Sequence, residues 1–205
     1  MFMGVHQTLF KTFVIKSCCI TIGALLLSAC AQKFNDTPNI RVLKTCPSPI
    51  ATYHLVDIKS GDYNDLTLAN ANVQQMVEKS LTQSGCFQSS PQTEENNTDY
   101  QLEVIFGNIN TQNQQRGFWY SQTSDQAIFE VQLNFSKPNE MKIFRGKSSI
   151  QNQNSQYLVV FGDDSKLNPN QIQITLQNAV NSAVNEAVRI FTQDQNGNPT
   201  NPYNF

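Results

Sequence analysis

The chain has 205 residues, 39% of them hydrophobic and only 15% charged, with a formal net charge of −2. That length holds one domain and a short extension; Asn and Gln, 45 residues together, stand where charged and apolar residues would ordinarily be. Lys and Arg are scattered and outnumbered, which excludes nucleic acid as a partner, because non-specific affinity for it comes from clustered basic side chains.

The amino terminus reads as an address rather than as structure. Lys11 and Lys16 supply a positive region, and residues 18–27 form an uncharged apolar run of about ten. Such a run is too short to cross a ~30 Å hydrocarbon core but has the length of a signal-peptide core. It ends in Leu27-Ser28-Ala29-Cys30, which matches the bacterial lipobox. The match implies that residues 1–29 are a lipoprotein signal peptide, that the Cys30 thiol takes a diacylglycerol, and that the new amino terminus is acylated, palmitate being a typical chain. Several acyl chains on one residue exceed what stable anchoring requires. Ala31 and Gln32 follow, with no Asp at the second position. By the same resemblance this directs the protein to the outer membrane, facing the periplasm. Without residues 1–29, 12 basic side chains face 16 acidic ones and Cys46 and Cys86 remain beside the lipidated Cys30. In an oxidising compartment an even pair reads as a disulfide; the alternative is two buried thiols.

Residues 30–49 are polar, lack a period and contain Pro38, Pro47 and Pro49, and so read as a lipidated tether. Residues 50–58 alternate as a first strand, followed by turn material at Ser60-Gly61-Asp62. Over residues 69–84, Val73, Met76, Val77 and Leu81 form a helical stripe that Gly85 is placed to end. Tyr100, Leu102, Val104 and Phe106 alternate through a strand over 99–109. Phe129, Val131, Leu133 and Phe135 repeat the pattern, and Lys137-Pro138-Asn139-Glu140 turns the chain into a third strand over 141–150. Asn168 is a good N-cap with Pro169 behind it. The helix that follows carries Ile172, Leu176, Ala179, Val180, Ala183, Val184, Ala187, Val188 and Phe191 on one side. The Ala-rich stripe predicts close packing across the sheet. The periplasmic domain is expected over 50–193, with 194–205 as a flexible tail. Strand, helix, strand, hairpin, helix makes an α+β two-layer sandwich, a mainly antiparallel sheet packed by two helices.

Chemistry-bearing motifs are sparse. His54 is the one histidine after residue 29, and no HExxH, CxxC, GxSxG or phosphate loop occurs. The expectation is no catalytic residue, no metal and no cofactor, hence not an enzyme. Phe118, Trp119 and Tyr120 cluster in a Gln/Asn-rich stretch. They read as a partner-binding surface or as strand ends packed into the core, since aromatics anchor interfaces and also suit membrane headgroups. The run Tyr157–Phe161 presents the same choice.

Several segments together resemble the CsgG-like lipoproteins, the family of the curli secretion channel. They are Leu81-Thr82-Gln83-Ser84-Gly85-Cys86-Phe87, Thr98 to Val104 with Gly107, Phe129 to Phe135 with Lys147-Ser148-Ser149-Ile150, and Asn168-Pro169-Asn170 leading into the Ala/Val helix. In that family two insertions supply transmembrane hairpins that build a pore; here the matching segments, near 110–125 and 150–166, are short and Gln/Asn-rich. The resemblance therefore implies the periplasmic half of the fold without its pore. The resulting expectation is a non-enzymatic accessory or assembly subunit of an envelope or secretion complex, anchored in the membrane by its lipid, with an envelope protein as partner. Self-association is compatible with that role. The alternative is an auxiliary lipoprotein of lipid transport, holding an apolar ligand between helix and sheet.

Overall fold

In the computed structural model, which describes residues 38–91, 99–116, 120–157 and 166–195, the apolar segments assemble into one five-stranded sheet with two helices on the same face. The strands are β1 (Ala51–Asn64), β2 (Phe87–Ser89), β3 (Tyr100–Arg116), β4 (Tyr120–Lys137) and β5 (Glu140–Tyr157); the helices are α1 (Asn70–Ser84) and α2 (Pro169–Gln195). The order across the sheet is β2-β1-β3-β4-β5. The last three strands form an antiparallel meander, and β1 runs parallel to both β2 and β3. This is the expected α+β two-layer sandwich.

The core follows from the alternation. Leu102, Val104 and Phe106 on β3, with Phe129, Val131, Leu133 and Phe135 on β4, meet Val73, Val77 and Leu81 of α1 and the Ala/Val stripe of α2. Phe135 sits at the centre of an aromatic cluster, its ring centroid 5.4 Å from Phe87, 5.5 Å from Phe191 and 5.9 Å from Phe144. Gly85 ends α1 at φ 72, the left-handed conformation that disfavours a side chain, and a Cβ there would lie 2.9 Å from the Cys46 carbonyl oxygen. At the start of α2 the Asn168 Oδ1 accepts the Asn170 N–H at 2.9 Å. Gly146 on β5 faces α2 so closely that a Cβ would lie 1.9 Å from the Ala179 carbonyl oxygen.

Four expectations are corrected. Residues 38–49 are not a free tether: they lie along α2 and α1 and belong to the domain. Ser60-Gly61-Asp62 is strand, not turn; β1 continues to Asn64, with register shifts between Leu55 and Asp57 and between Ser60 and Asn64. The strands expected to end at residues 109 and 150 run on through Gln/Asn-rich stretches, over 110–116 and 151–157, and β4 begins at Tyr120. β3 and β4 stay in unbroken register from Gln101↔Ser136 to Arg116↔Ser121, and β4 and β5 from Lys137↔Glu140 to Tyr120↔Tyr157. Finally α2 reaches Gln195, two residues beyond the expected domain end.

Cys46 and Cys86 form a disulfide across a sequence separation of 40. Both are buried. Closing a loop of that size stabilises by about 3–4 kcal/mol in the chain-entropy model. We expect the Cys46→Ala, Cys86→Ala double variant to lose about that much in urea unfolding; an unchanged midpoint would show the bond to be thermodynamically idle.

Candidate functional site

Cys30, Phe118 and Trp119 lie outside the described residues, as do residues 158–161. Tyr120 opens β4 opposite Tyr157. From Asn110 to Arg116, from Ser121 to Gln126 and from Gln151 to Gln156 the three strands carry almost only amide and hydroxyl side chains. Side-chain bonds link them, as in Gln151 Nε2 to Ser124 Oγ at 3.1 Å. Asn152 bonds Gln171 of α2 at 3.2 Å, near the first turn of that helix. β1 last pairs with β3 at Asn64↔Asn108, and Asp65 accepts the Asn110 N–H at 2.8 Å, so among the described residues the edge of β3 away from β4 has no strand beside it from Thr111 to Arg116. The result is a three-stranded, charge-poor arm continuing past the hydrophobic core.

At the helices, the stretch from Pro38 to Cys46 is strapped down by three asparagines of α2 spaced i, i+3, i+7. Asn178 accepts the Ile40 N–H at 2.8 Å and donates to the Pro38 carbonyl; Asn181 donates to the Ile40 carbonyl at 2.6 Å. Asn185 accepts from Leu43 N–H at 3.1 Å and donates to the Arg41 carbonyl at 3.0 Å. Asn178 and Asn185 each offer one donor and one acceptor to the backbone, and Asn181 offers its donor, so the extended segment is held without a strand partner. Ser80 of α1 bonds Asn181 at 2.7 Å and Gln177 at 3.0 Å, joining the two helices beneath the strap.

The opposite face of the sheet has no helix on it among the described residues. A hydrogen-bonded chain crosses it: Lys59 to Glu103, Asn134 to Glu103 at 2.8 Å, Gln132 to Asn134 at 2.8 Å, and Arg145 to Gln132 at 2.8 Å. Hydrogen bonds from Lys59 and then Asn134 hold the Glu103 carboxyl below the usual range. Beside this chain lies an open groove of about 450 Å³, lined by Tyr63, Ile105, Gly107, Ile109, Ile128 and Arg145 among others.

Two further clusters of titratable groups are structural in geometry. Ser90 and Thr52 donate their hydroxyls directly to Asp99, and in that order they hold its carboxyl low. His54 lies close enough to act on that charge, but the hydroxyls bond the acid rather than the imidazole. A nucleophilic triad requires the histidine between them. At the same end of β3, Tyr100 donates to Glu140 at 2.8 Å, while Lys142 pairs with Glu140 and Asp194, both at 2.7 Å. Burial works against the Lys142 ammonium, but its hydrogen bonds to Asp194 and Glu140 outweigh that and raise its pKa. Among the described residues no group of three or more His, Cys, Asp or Glu could hold a metal ion, and no helix is long and apolar enough to cross a membrane.

Tyr53 makes the alkaline limit of this domain testable. Burial first, and the Glu78 charge second, push its hydroxyl up from 10.0 to about 12. A folded-state pKa above the unfolded one gives stability that is complete below pH 10 and lost as pH rises towards 12. Two units correspond to about 2–3 kcal/mol. Urea midpoints measured across that window should fall, and Tyr53→Phe should flatten the fall, leaving the part due to Tyr100, whose hydroxyl burial also raises.

No protein-family profile matches the chain. No characterised protein sequence matches it either. Solved structures similar to it include a neuraminyllactose-binding hemagglutinin homolog from Helicobacter pylori, at 12% identity and a TM-score of 0.39 over 80% of this chain and 94% of that one. The PelC dodecamer from Paraburkholderia phytofirmans is similar at 10% identity, with a TM-score of 0.32 over 75% of this chain and 92% of that one. A minor lipoprotein from Acinetobacter baumannii follows at 9% identity, with a TM-score of 0.30 over 73% of this chain and 96% of that one. At these scores the likeness assigns no residue a role.

Proposed function

We propose that the protein is an outer-membrane-anchored lipoprotein, held at the periplasmic face through Cys30, whose domain is a non-enzymatic accessory or assembly subunit of an envelope complex. The observation that carries this reading is the polar arm. Strands normally form where one face buries apolar side chains; here three strands keep register through amide-rich stretches beyond the core. Among the described residues, β3 from Thr111 to Arg116 has no strand on its side away from β4, and that edge is a template for an added strand. Amide side chains add neutral hydrogen bonds without a charge penalty. Neither an apolar channel nor a catalytic cleft would use such a surface, whereas a protein partner would.

The test places a photoreactive amino acid at Gln112 or Gln114, both exposed, in cells. Irradiation should link the chain to one envelope protein, and Cys30→Ser should abolish the link by mislocalising the chain. Trp119→Ala should leave thermal unfolding unchanged while the same partner is lost from purification, because interface energy concentrates in aromatic anchors. Arm positions that capture nothing in a correctly localised protein would remove the arm from the account.

A further inference from the structure

The groove on the helix-free face has features that the arm does not explain. Ile105, Gly107 and Ile109 alternate with Val104, Phe106 and Asn108, which are buried towards the helices, so they line the other face of β3. Gly107 carries no side chain at the centre of that row, and Tyr63 approaches over it: a Cβ at 107 would lie 3.0 Å from the Tyr63 carbonyl oxygen. The depression is walled by Ile105 and Ile128, half-buried, and by Ile109 and Tyr63, 41% and 62% exposed. Its volume of about 450 Å³ falls within the ~300–1,000 Å³ of small-molecule sites.

Four charged side chains stand on the rim: Asp62 at the β1 end, Glu130 on β4, and Arg145 and Lys147 on β5. Glu130 is already neutralised by Lys147 at 2.7 Å. Arg145 is not: its Nε is committed to Gln132, which orients the guanidinium, and among the described residues no carboxylate lies within salt-bridge distance of it. A trough with Asp62 at its β1 end, an isoleucine-lined middle and, on β5, one oriented guanidinium with no carboxylate beside it among the described residues is complementary to a molecule with an aliphatic body and one anionic oxygen pair at the Arg145 end. Arg receives such a group through two parallel N–H bonds. The space between helix and sheet does not compete for this role, because Gly146 and Ala179 are in contact there.

We propose that this groove binds a medium-chain aliphatic carboxylate, its chain between Ile105, Ile109 and Ile128 and its carboxylate on Arg145. The site is independent of the arm and of Cys30. The full chain, in phosphatidylcholine nanodiscs or, should it prove unanchored, in buffer, would be irradiated with a diazirine-bearing decanoic acid and the adducts mapped by mass spectrometry. Adducts should concentrate on the segments containing Tyr63 and residues 105–109. Octanoate should compete them away and octanamide should not. Arg145→Gln should weaken octanoate competition by at least about tenfold, and Ile109→Asp should abolish labelling, both variants melting like the parent because both side chains are exposed. Labelling spread over the surface, competition by octanamide equal to that by octanoate, or full affinity in Arg145→Gln would overturn the proposal. Displacement by an acetylated peptide with a carboxy-terminal leucine, but not by octanoate, would overturn it in favour of a peptide end.

Discussion

Gly146→Val should abolish folding of the domain, and even Gly146→Ala should destabilise it more than any other single-methyl addition on the sheet. A Cβ at this position would lie 1.9 Å from the Ala179 carbonyl oxygen and 2.5 Å from the Ala183 amide nitrogen. Both are backbone atoms of α2, so no rotamer change relieves the overlap; the whole helix must lift. Overpacking a core costs typically 1–3 kcal/mol when side chains can give. Here they cannot, and about 3 kcal/mol or more is expected for Ala. Lifting α2 would also loosen the stripe from Leu176 to Phe191 that the same contact brings onto β4 and β5. Urea unfolding of Gly146→Ala beside Gly61→Ala provides the comparison. At Gly61 the nearest atoms to an added Cβ are 3.6 and 3.7 Å away, ordinary contact distances, and little change is expected. Equal losses at the two positions would show that α2 can shift without cost.

Phe135→Ala should cost about 3–5 kcal/mol, the range for emptying a large aromatic site. Five rings surround it: Tyr53 and Tyr100 edge-on at 6.3 and 6.1 Å, with Phe87, Phe144 and Phe191 at 5.4–5.9 Å. These come from β1, β2, β3, β5 and α2, so the void would touch nearly every element. Phe135→Leu should recover part of the loss by keeping aliphatic volume while giving up the ring geometry, which contributes ~0.5–1.5 kcal/mol per pair. Chemical denaturation of both variants separates the two contributions. A Phe135→Ala protein as stable as the parent would mean that the cluster collapses to fill the site.

How far the fold was legible follows from where burial leaves a trace. Both helices, the Gly85 terminus and the Asn168 cap were readable, because one apolar stripe and one conformational demand each mark the sequence. The alternation of Leu102, Val104 and Phe106 and of Phe129 to Phe135 was readable for the same reason. Residues 110–116 and 151–157 were not. They are built almost wholly of amide and hydroxyl residues, so the period of two that betrays a strand is missing, and their pairing continues the register of the apolar halves. The strap was missed because its anchors sit on another element. Asn178, Asn181 and Asn185 at i, i+3, i+7 along the margin of an Ala/Val stripe were a visible signal, with two of them buried; amides so placed require backbone partners. Gly146 carried a weaker sign, a lone glycine in a strand, which marks close backbone approach. The groove could have been suspected from Ile105 and Ile109, apolar residues on the solvent side of a strand whose other side was already apolar. Cys30 and the aromatic trio Phe118, Trp119 and Tyr120 remain readings from sequence.

The strap also sets an order of events during synthesis, when the chain emerges from its amino end. Its anchors on α2 stand 138 to 144 residues further along, so residues 38–43 emerge long before anything exists to receive them. Cys86 arrives much sooner, forty residues behind Cys46. The bridge can therefore close while α2 is still unmade, pinning the loose segment beside the end of α1. When α2 arrives, its asparagines meet a segment already confined to their neighbourhood, and a loop closure of about 140 residues is replaced by a short local search. In a chain lacking the bridge the last helix would have to recapture its own beginning, and refolding should slow even where the final state is reached.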